Sequence, residues 1–535
     1  MEYIIISVAL LLRCLVGLWG HSGEGVAPIY GDFEAQRHWL EVTSNLPVGD
    51  WYRDTADNDL QYWGLDYPPL TAYVSLALGK LAELMYPDMV ALHASRGIET
   101  AACTFFMRSS VLLLDAAIFF PVVFKLGKAV AGTHVHPKYL FLSFLSPALV
   151  LIDHGHFQYN STCLGLALLA AYLLDQDRYV LASVVFCCSL NFKQMALYYA
   201  PVFFFFLLGR CNDARVLVSR WRALGLLVQL GVAVVGSFAL IWAPFCAYAA
   251  VDDGETCLSS LTHVLSRQFP FSRGIFEDKV ANLWFALSVA YRHASGGADM
   301  REVSDTSTLA KASICLTLLL LAPTAAFLLR RGQRSARQLV TCLVTSALAF
   351  FLASFQVHEK SLLLAMVPAA VLIDKRDIPF GVWFQVLGLF TMLPLLVKDR
   401  LALPAAACTV VYLVVASLLY ADVRPPKDRD EPTLVRIVQM VRTGFYRLSY
   451  VAMALILCAW ALVPPPASLP DLYPVVVALF GVVNLCFAYL HFLYDLYVKY
   501  SHVPSPGSPR VGPVYASAKA DPLDPPSVHP PLKSE

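Results

Sequence analysis

Charge is what this sequence has least of. Only 15% of its 535 residues are Asp, Glu, Lys or Arg, against 58% apolar, and the mean hydropathy is +0.59. That leaves too little polar surface for any class of soluble domain, so the bilayer must be the solvent. An excess of either sign is missing too: 40 Lys and Arg stand against 39 Asp and Glu. No global field then draws in nucleic acid, and no nucleic-acid partner is expected. None of the 13 cysteines forms a C-x-x-C pair, and most lie in apolar runs, which reads as small buried hydrophobes rather than a disulfide scaffold. Cys103 and Cys257 fall in polar segments, and whether they pair on an oxidising side stays open. Sustained strand alternation is absent, which excludes a β-barrel. The apolar N-terminus, Met1 to Trp19, has no basic start and no small-residue cleavage site, and it carries Arg13 mid-run. A retained first span is expected there rather than a cleaved signal peptide.

What the sequence has in abundance is apolar runs, near 3–19, 109–129, 138–152, 161–175, 179–190, 195–209, 223–250, 311–329, 337–355, 361–373, 380–397, 402–420, 448–464 and 473–497. At roughly 20 residues per crossing, fewer where neighbours bury the helix, they predict an all-α polytopic membrane bundle of about 14 transmembrane helices. Basic residues around Lys125–Lys138, Arg210–Arg222, Arg330–Arg337, Lys375–Arg376 and Arg424–Arg447 mark the cytoplasmic ends. Parity then requires the semi-apolar piece 281–291 to be a surface or re-entrant helix. Both termini are expected in the cytoplasm.

Nearly all dense polar motifs then fall on the opposite side, in loops near 20–108, 153–160, 191–194, 251–310, 356–360, 398–401 and 465–472. The expected organisation is a catalytic membrane module over 1–373 with long loops 20–108 and 251–310, then further membrane helices over 374–500. The Pro- and Ser-rich stretch 501–535 reads as a disordered cytoplasmic tail.

The first loop opens on Tyr30-Gly-Asp-Phe-Glu-Ala-Gln-Arg-His-Trp39, which sets Asp32, Glu34, Arg37 and His38 together directly after the first span. Such density fits a site, with a solvated loop start as the plain alternative. Further on, Asp66 stands among the aromatics of Gln61-Tyr-Trp-Gly-Leu-Asp-Tyr-Pro-Pro-Leu70. The Pro pair should open an amphipathic surface helix reaching about Tyr86. A carboxylate in a partly dehydrated aromatic setting suits base catalysis, and aromatic faces such as Tyr67 suit sugar rings. A helix-capping role for Asp66 stays open.

Asp153, His154 and His156 of Ile152-Asp-His-Gly-His-Phe-Gln-Tyr-Asn160 could bind metal or carry protons, but they fall short of a complete ligand set. Lys193 interrupts an apolar stretch and must face a polar cavity or snorkel. Arg267, Arg273 and Lys279, interleaved with Glu277, Asp278 and aromatics, suit a phosphate and its prenyl or sugar groups, or else pair with one another. His358, Glu359 and Lys360 form a polar knot between two spans, either a phosphate clamp at the interface or a salt-bridged turn.

The wordings GDFEAQRHW, LQYWGLDYPPLTAY, DHGHFQYN, NFKQMALYYAP, FPFSRGIFEDKVANLW and SFQVHEKSLL, between about Gly31 and Leu363, resemble the endoplasmic-reticulum glucosyltransferases that use dolichyl-phosphate glucose. These belong to the GT-C superfamily. The resemblance implies a luminal site, inversion at the sugar and a lipid-phosphate donor. One branch of the family adds the first glucose to Man9GlcNAc2-diphosphodolichol and a sister branch adds the second, and the QRHW and YWGLDYPP wording is nearer the first. A lipid-linked sugar transporter is the rival from another class; its ionisable residues would cluster near the bilayer midplane rather than in loops on one side.

Carried onto matching positions, the resemblance makes Asp66 the general base, with Asp32 as second choice. His358 and Lys360, with Arg273 and Lys279, become donor-phosphate groups. Asp32, Glu34, Arg37 and His38 are left to orient sugar hydroxyls. Since phosphate leaves readily, cationic side chains can stabilise it, and neither a cofactor nor a metal is expected.

Overall fold

The computed structural model describes residues 2–132, 139–211, 220–250, 255–269, 279–297, 300, 305–330, 334–373, 378–421 and 433–499. The expected tail, and Arg273, Glu277 and Asp278, lie outside the described residues. Within them every regular element is a helix, as a chain dissolved in lipid requires, since a helix satisfies its own backbone polar groups.

Each of the 14 apolar runs coincides with a helix, but fewer of these helices have the length of a full crossing. Among the described residues nine helices are long and apolar enough: Ala101–Ala131, Leu140–Phe157, Gln194–Cys211, Trp221–Ala249, Thr306–Leu329, Ala336–Ala353, Ala402–Ala421, Met440–Leu462 and Leu472–Val498. Four more are apolar but shorter: Tyr3–Val16, Asn160–Asp175, Tyr179–Phe192 and Ile378–Thr391. The run 361–373 yields only the nine-residue helix Leu363–Val371, about 13 Å long at ~1.5 Å per residue and too short to cross alone. By length and composition the expected count of 14 is therefore not confirmed among the described residues.

The bundle has an inside and an outside. In Leu140–Phe157 94% of the residues are buried and in Ala336–Ala353 89%, whereas only 6% are buried in the most apolar 18-residue stretch of Trp221–Ala249, the exposure expected of a helix at the bundle's rim. One apolar cluster runs through the centre and draws on residues from Ile5 to Leu496. Leu339, Leu343 and Ala347, on one helix face, lie in it with Leu387 and Leu485.

On the face carrying the polar motifs, the long first loop is mostly helical. Asp32–Asn45 is a helix with Asp32 and Glu34 in its first turn, where carboxylates complement the N-terminal dipole. It buries every residue from Phe33 to Thr43, so this polar segment is interior rather than a solvated loop start. Pro69–Met85 starts at the Pro pair as expected, with Pro at its first position. It packs on Asp32–Asn45 through the Gly79 contact, where a Cβ would fall within 2.7 Å of the Leu40 carbonyl oxygen. The piece at 281–291 forms the twelve-residue helix Leu283–Ala294.

Cysteine pairing differs from the option raised by sequence. Cys257 is bonded to Cys246, eleven residues before it, at the facing ends of helices Arg220–Ala249 and Cys257–Gln268. Cys103 is free and buried, in an apolar cluster with Phe33, Met89 and Phe106.

A buried ion pair anchors the first span. Arg13 Nε donates to Asp115 Oδ2 at 2.7 Å and its Nη1 to the Phe144 carbonyl at 2.9 Å, while His154 Nε2 lies 2.9 Å from the same Asp115 oxygen. Both Asp115 and His154 sit in π-helical turns, Asp115–Phe119 and Leu151–Phe157, the kind of local widening that re-aims side chains. Arg13→Leu strands the Asp115 charge and is expected to cost about 3–5 kcal/mol, read as a lowered unfolding midpoint in detergent. The Arg13→Leu/Asp115→Leu double variant should recover part of that loss. An unchanged midpoint for Arg13→Leu would show that the pair does not hold this span.

Candidate functional site

Four stretches far apart in sequence meet at the end of the π-helical turn Leu151–Phe157. His156, buried on that turn, directs Nε2 to Asp32 Oδ2 at 2.9 Å and Nδ1 to Asp399 Oδ2. Lys360 Nζ donates to the same Asp32 oxygen at 2.6 Å, and Gln158 Nε2 donates to it as well. Asp32 is thus the node at which the first loop, the 153–160 motif and the 356–360 knot are joined. Burial works against its charge, but Lys360 and His156 more than offset that and hold its carboxyl well below the usual range. Lys360 answers in kind: burial lowers its pKa, yet Asp32 and Glu359 leave it raised. His358 and Glu359 flank it, each half-buried.

Gln158 also faces the other way. Its Oε1 accepts from Tyr67 Oη at 3.1 Å and from Lys193 Nζ at 3.2 Å. Lys193 further donates to Asn160 Oδ1 at 2.7 Å and lies 4.7 Å over the Tyr67 ring. Buried and close to the Lys360 charge, its ammonium is pushed down to about 8. Sequence left open whether Lys193 snorkels; it points inward. Asp153 is capped by Asn160 Nδ2 at 2.8 Å and the Ser161 amide at 2.7 Å, which fixes the turn.

Asp66 is held by its backbone. The four consecutive carbonyls from Gly64 to Tyr67 each accept from a side chain. Arg267 Nη2 bonds Gly64 at 2.9 Å and its Nε bonds Leu65 at 3.1 Å. Gln194 Nε2 bonds Asp66 at 3.1 Å, and Tyr52 Oη bonds Tyr67 at 2.7 Å. The Asp66 side chain is half-buried. Burial raises the pKa of the Tyr52 and Tyr67 hydroxyls; Tyr73 and then the Asp66 carboxylate add to it at Tyr52, and Asp66 and then Asp32 at Tyr67. Trp39 closes one side, its ring edge-on to Tyr67 at 4.8 Å and its Nε1 donating to the Trp63 carbonyl at 2.9 Å.

Glu34, Arg37 and His38 share a second network, directed inward. Arg37 forks onto both Glu34 oxygens at 2.7 and 2.6 Å and reaches Glu41 at 2.8 Å, the Met89 carbonyl at 2.9 Å and Ser95 at 2.7 Å. His38 Nδ1 lies 3.1 Å from Glu41. Burial would raise the Glu41 pKa, but the His38 hydrogen bond and the Arg37 charge bring it down to about 2. Tyr62 Oη donates to Glu34 at 2.8 Å, tying the stretch just before GLDYPP to this helix.

His154 turns away from His156 and joins Asp115. Lys279 pairs with Asp471 at 3.0 Å. Sequence reasoning missed Gln158, Glu41 and Asp399. Glu41 lies one turn beyond Arg37 and was legible only once a helix was recognised there. Asp399 carries no motif, and only its place in a loop on the same face hinted at it.

The family description "ALG6, ALG8 glycosyltransferase family" matches residues 9–492. The chain is 41% identical over 504 residues to the dolichyl pyrophosphate Man9GlcNAc2 alpha-1,3-glucosyltransferase of Gallus gallus, covering 91% of this chain and 95% of that protein. It is 38% identical over 507 residues to the protein of the same name from Rattus norvegicus, covering 91% and 95%. A probable enzyme of that name from Dictyostelium discoideum is 35% identical over 509 residues, covering 92% and 94%. With the match running through the polar face and the apolar bundle alike, the chain belongs to the ALG6, ALG8 glycosyltransferase family.

Proposed function

We propose that this protein transfers glucose, with inversion, from dolichyl-phosphate glucose to the mannose 3-hydroxyl of Man9GlcNAc2-diphosphodolichol, giving Glc1Man9GlcNAc2-diphosphodolichol. The work is done at the luminal face of the endoplasmic reticulum membrane, with both chain termini in the cytoplasm. The observation that carries this is the pinned Gly64–Tyr67 segment, which fixes one carboxylate among aromatic rings beside a cationic pole. Fixed geometry of this kind is what a displacement at a sugar carbon needs.

In this reading Asp66 takes the proton of the mannose 3-hydroxyl as its oxygen forms a bond to the glucose anomeric carbon. The bond from that carbon to the phosphate oxygen breaks, and its electron pair leaves with dolichyl phosphate. A β-linked donor then yields an α product. Asp66 is favoured over Asp32, because Asp32 already accepts from Lys360, His156 and Gln158 and has little affinity for a further proton. Lys360, with His358 beside it and Arg273 and Lys279 from the 251–310 loop, receives the donor phosphate. Tyr67 and Trp39 offer ring faces to sugar. Glu34, Arg37 and His38 act by holding the first-loop helix under the GLDYPP segment. Leaving-group charge is met by side-chain cations, so the reaction is read as needing no cofactor and no metal.

The Cys246–Cys257 disulfide supports the luminal side, since such bonds persist in oxidising compartments. Peptide mapping of protein from intact microsomes, alkylated before any reduction, should recover these two cysteines as one linked peptide pair. Free thiols at both would count against a luminal 251–310 loop.

With purified protein, glucose should pass to Man9GlcNAc2-diphosphodolichol and not to Glc1Man9GlcNAc2-diphosphodolichol, at a rate indifferent to EDTA. Asp66→Asn should lower kcat by roughly 10²- to 10⁴-fold while the unfolding midpoint holds. Transfer only to the monoglucosylated acceptor would make this the second glucosyltransferase. Full activity in Asp66→Asn would remove Asp66 from the chemistry.

A further inference from the structure

The carboxylate behind His156 comes from the far end of the fold. Asp399 caps helix Leu393–Lys398, its amide donating to Leu395 O at 3.1 Å, and its side chain is 4% exposed. It lies 243 residues from His156 in sequence. The approach is close because Gly155 has no side chain: a Cβ there would fall 2.9 Å from Leu401 Cδ1.

An ionised carboxylate only accepts hydrogen bonds, so the contact from Asp399 places a proton on His156 Nδ1. Nε2 is thereby the nitrogen presented to the Asp32–Lys360 pair, 2.9 Å from Asp32 Oδ2 and 3.1 Å from Lys360 Nζ. Carrying a proton as well, Nε2 donates to Asp32. That doubly protonated ring satisfies both carboxylates at once, whereas the opposite neutral tautomer would turn a lone pair toward Asp399.

We propose that Asp399 is a positioning residue for glucosyl transfer: by fixing the proton on His156 Nδ1 it holds Nε2 on Asp32 and Lys360 and so sets the cation that receives the donor phosphate. This rests on the transferase reading above. The C-terminal helices then supply part of the active site as well as part of the bundle.

Asp399→Asn is isosteric and can rotate to donate to Nδ1, which admits the wrong tautomer; behind a catalytic histidine elsewhere that exchange costs up to ~10⁴-fold. Activity is measured with dolichyl-phosphate glucose and Man9GlcNAc2-diphosphodolichol on the full chain in detergent. The expected result is a fall in kcat of roughly 10- to 100-fold in Asp399→Asn, with an unchanged acceptor KM and unfolding midpoint. Asp399→Glu, still an acceptor, should recover most of the rate. In a His156→Gln background, Asp399→Asn should cost less than about twofold more, because its route to the pair is already cut. A wild-type rate in Asp399→Asn, or a full additional loss in the His156→Gln background, overturns this proposal alone. Wild-type protein that transfers glucose to neither acceptor overturns it together with the transferase reading.

Discussion

A charge at membrane depth has no water to turn to, and the architecture of this protein is organised by that constraint. The π-helical turn Leu151–Phe157 is where the constraint bites hardest. It brings Asp153, His154 and His156 to the end of a helix that is almost wholly buried. Each finds a different partner: Asn160 and the Ser161 amide for Asp153, Asp115 for His154, and Asp32 with Asp399 for His156. Asn160 and Ser161 open the next helix, Asn160–Asp175, while Asp32, Asp115 and Asp399 come from the first loop, the helix Ala101–Ala131 and the loop before Ala402, so satisfying one turn ties the first and last thirds of the chain together.

The site built on this turn separates two tasks. Charge is gathered at Asp32 and Lys360, where opposite signs sit 2.6 Å apart and keep each other ionised. The proposed base, Asp66, stands apart from that pair, on a segment whose carbonyls are gripped by Arg267, Gln194 and Tyr52. Gln158 links the two regions, since its amide donates to Asp32 and accepts from Tyr67 and Lys193.

The network around Arg37 has a supporting part. Arg37 is fully buried with five polar contacts, and a guanidinium so placed favours one geometry strongly, because any other strands a charge. Through Tyr62 on Glu34 that geometry reaches the segment carrying Asp66. Glu34, Arg37 and His38, dense enough to look like binding groups, are thus engaged in a buried network that also holds Tyr62.

Much was legible from composition and pattern. Apolar runs placed every membrane helix, because lipid demands continuous apolar stretches. The Pro68–Pro69 pair marked a helix start by its missing amide hydrogens. Wording around Asp66 and Lys360 pointed to the family. Pattern alone failed where partners are remote: it read Asp32–Asn45 as loop, since a helix buried on its polar side shows no apolar stripe, and it raised Cys103 rather than Cys246 for Cys257. The sequence by itself thus determined the solvent, the helices and the segregation of polar motifs, all of which follow from local chemistry. Only the tertiary structure decided that Asp399 stands behind His156, that Arg267 grips the carbonyls beside Asp66, and that Asp32 is already neutralised. Those depend on distances between residues hundreds of positions apart, and no local pattern encodes them.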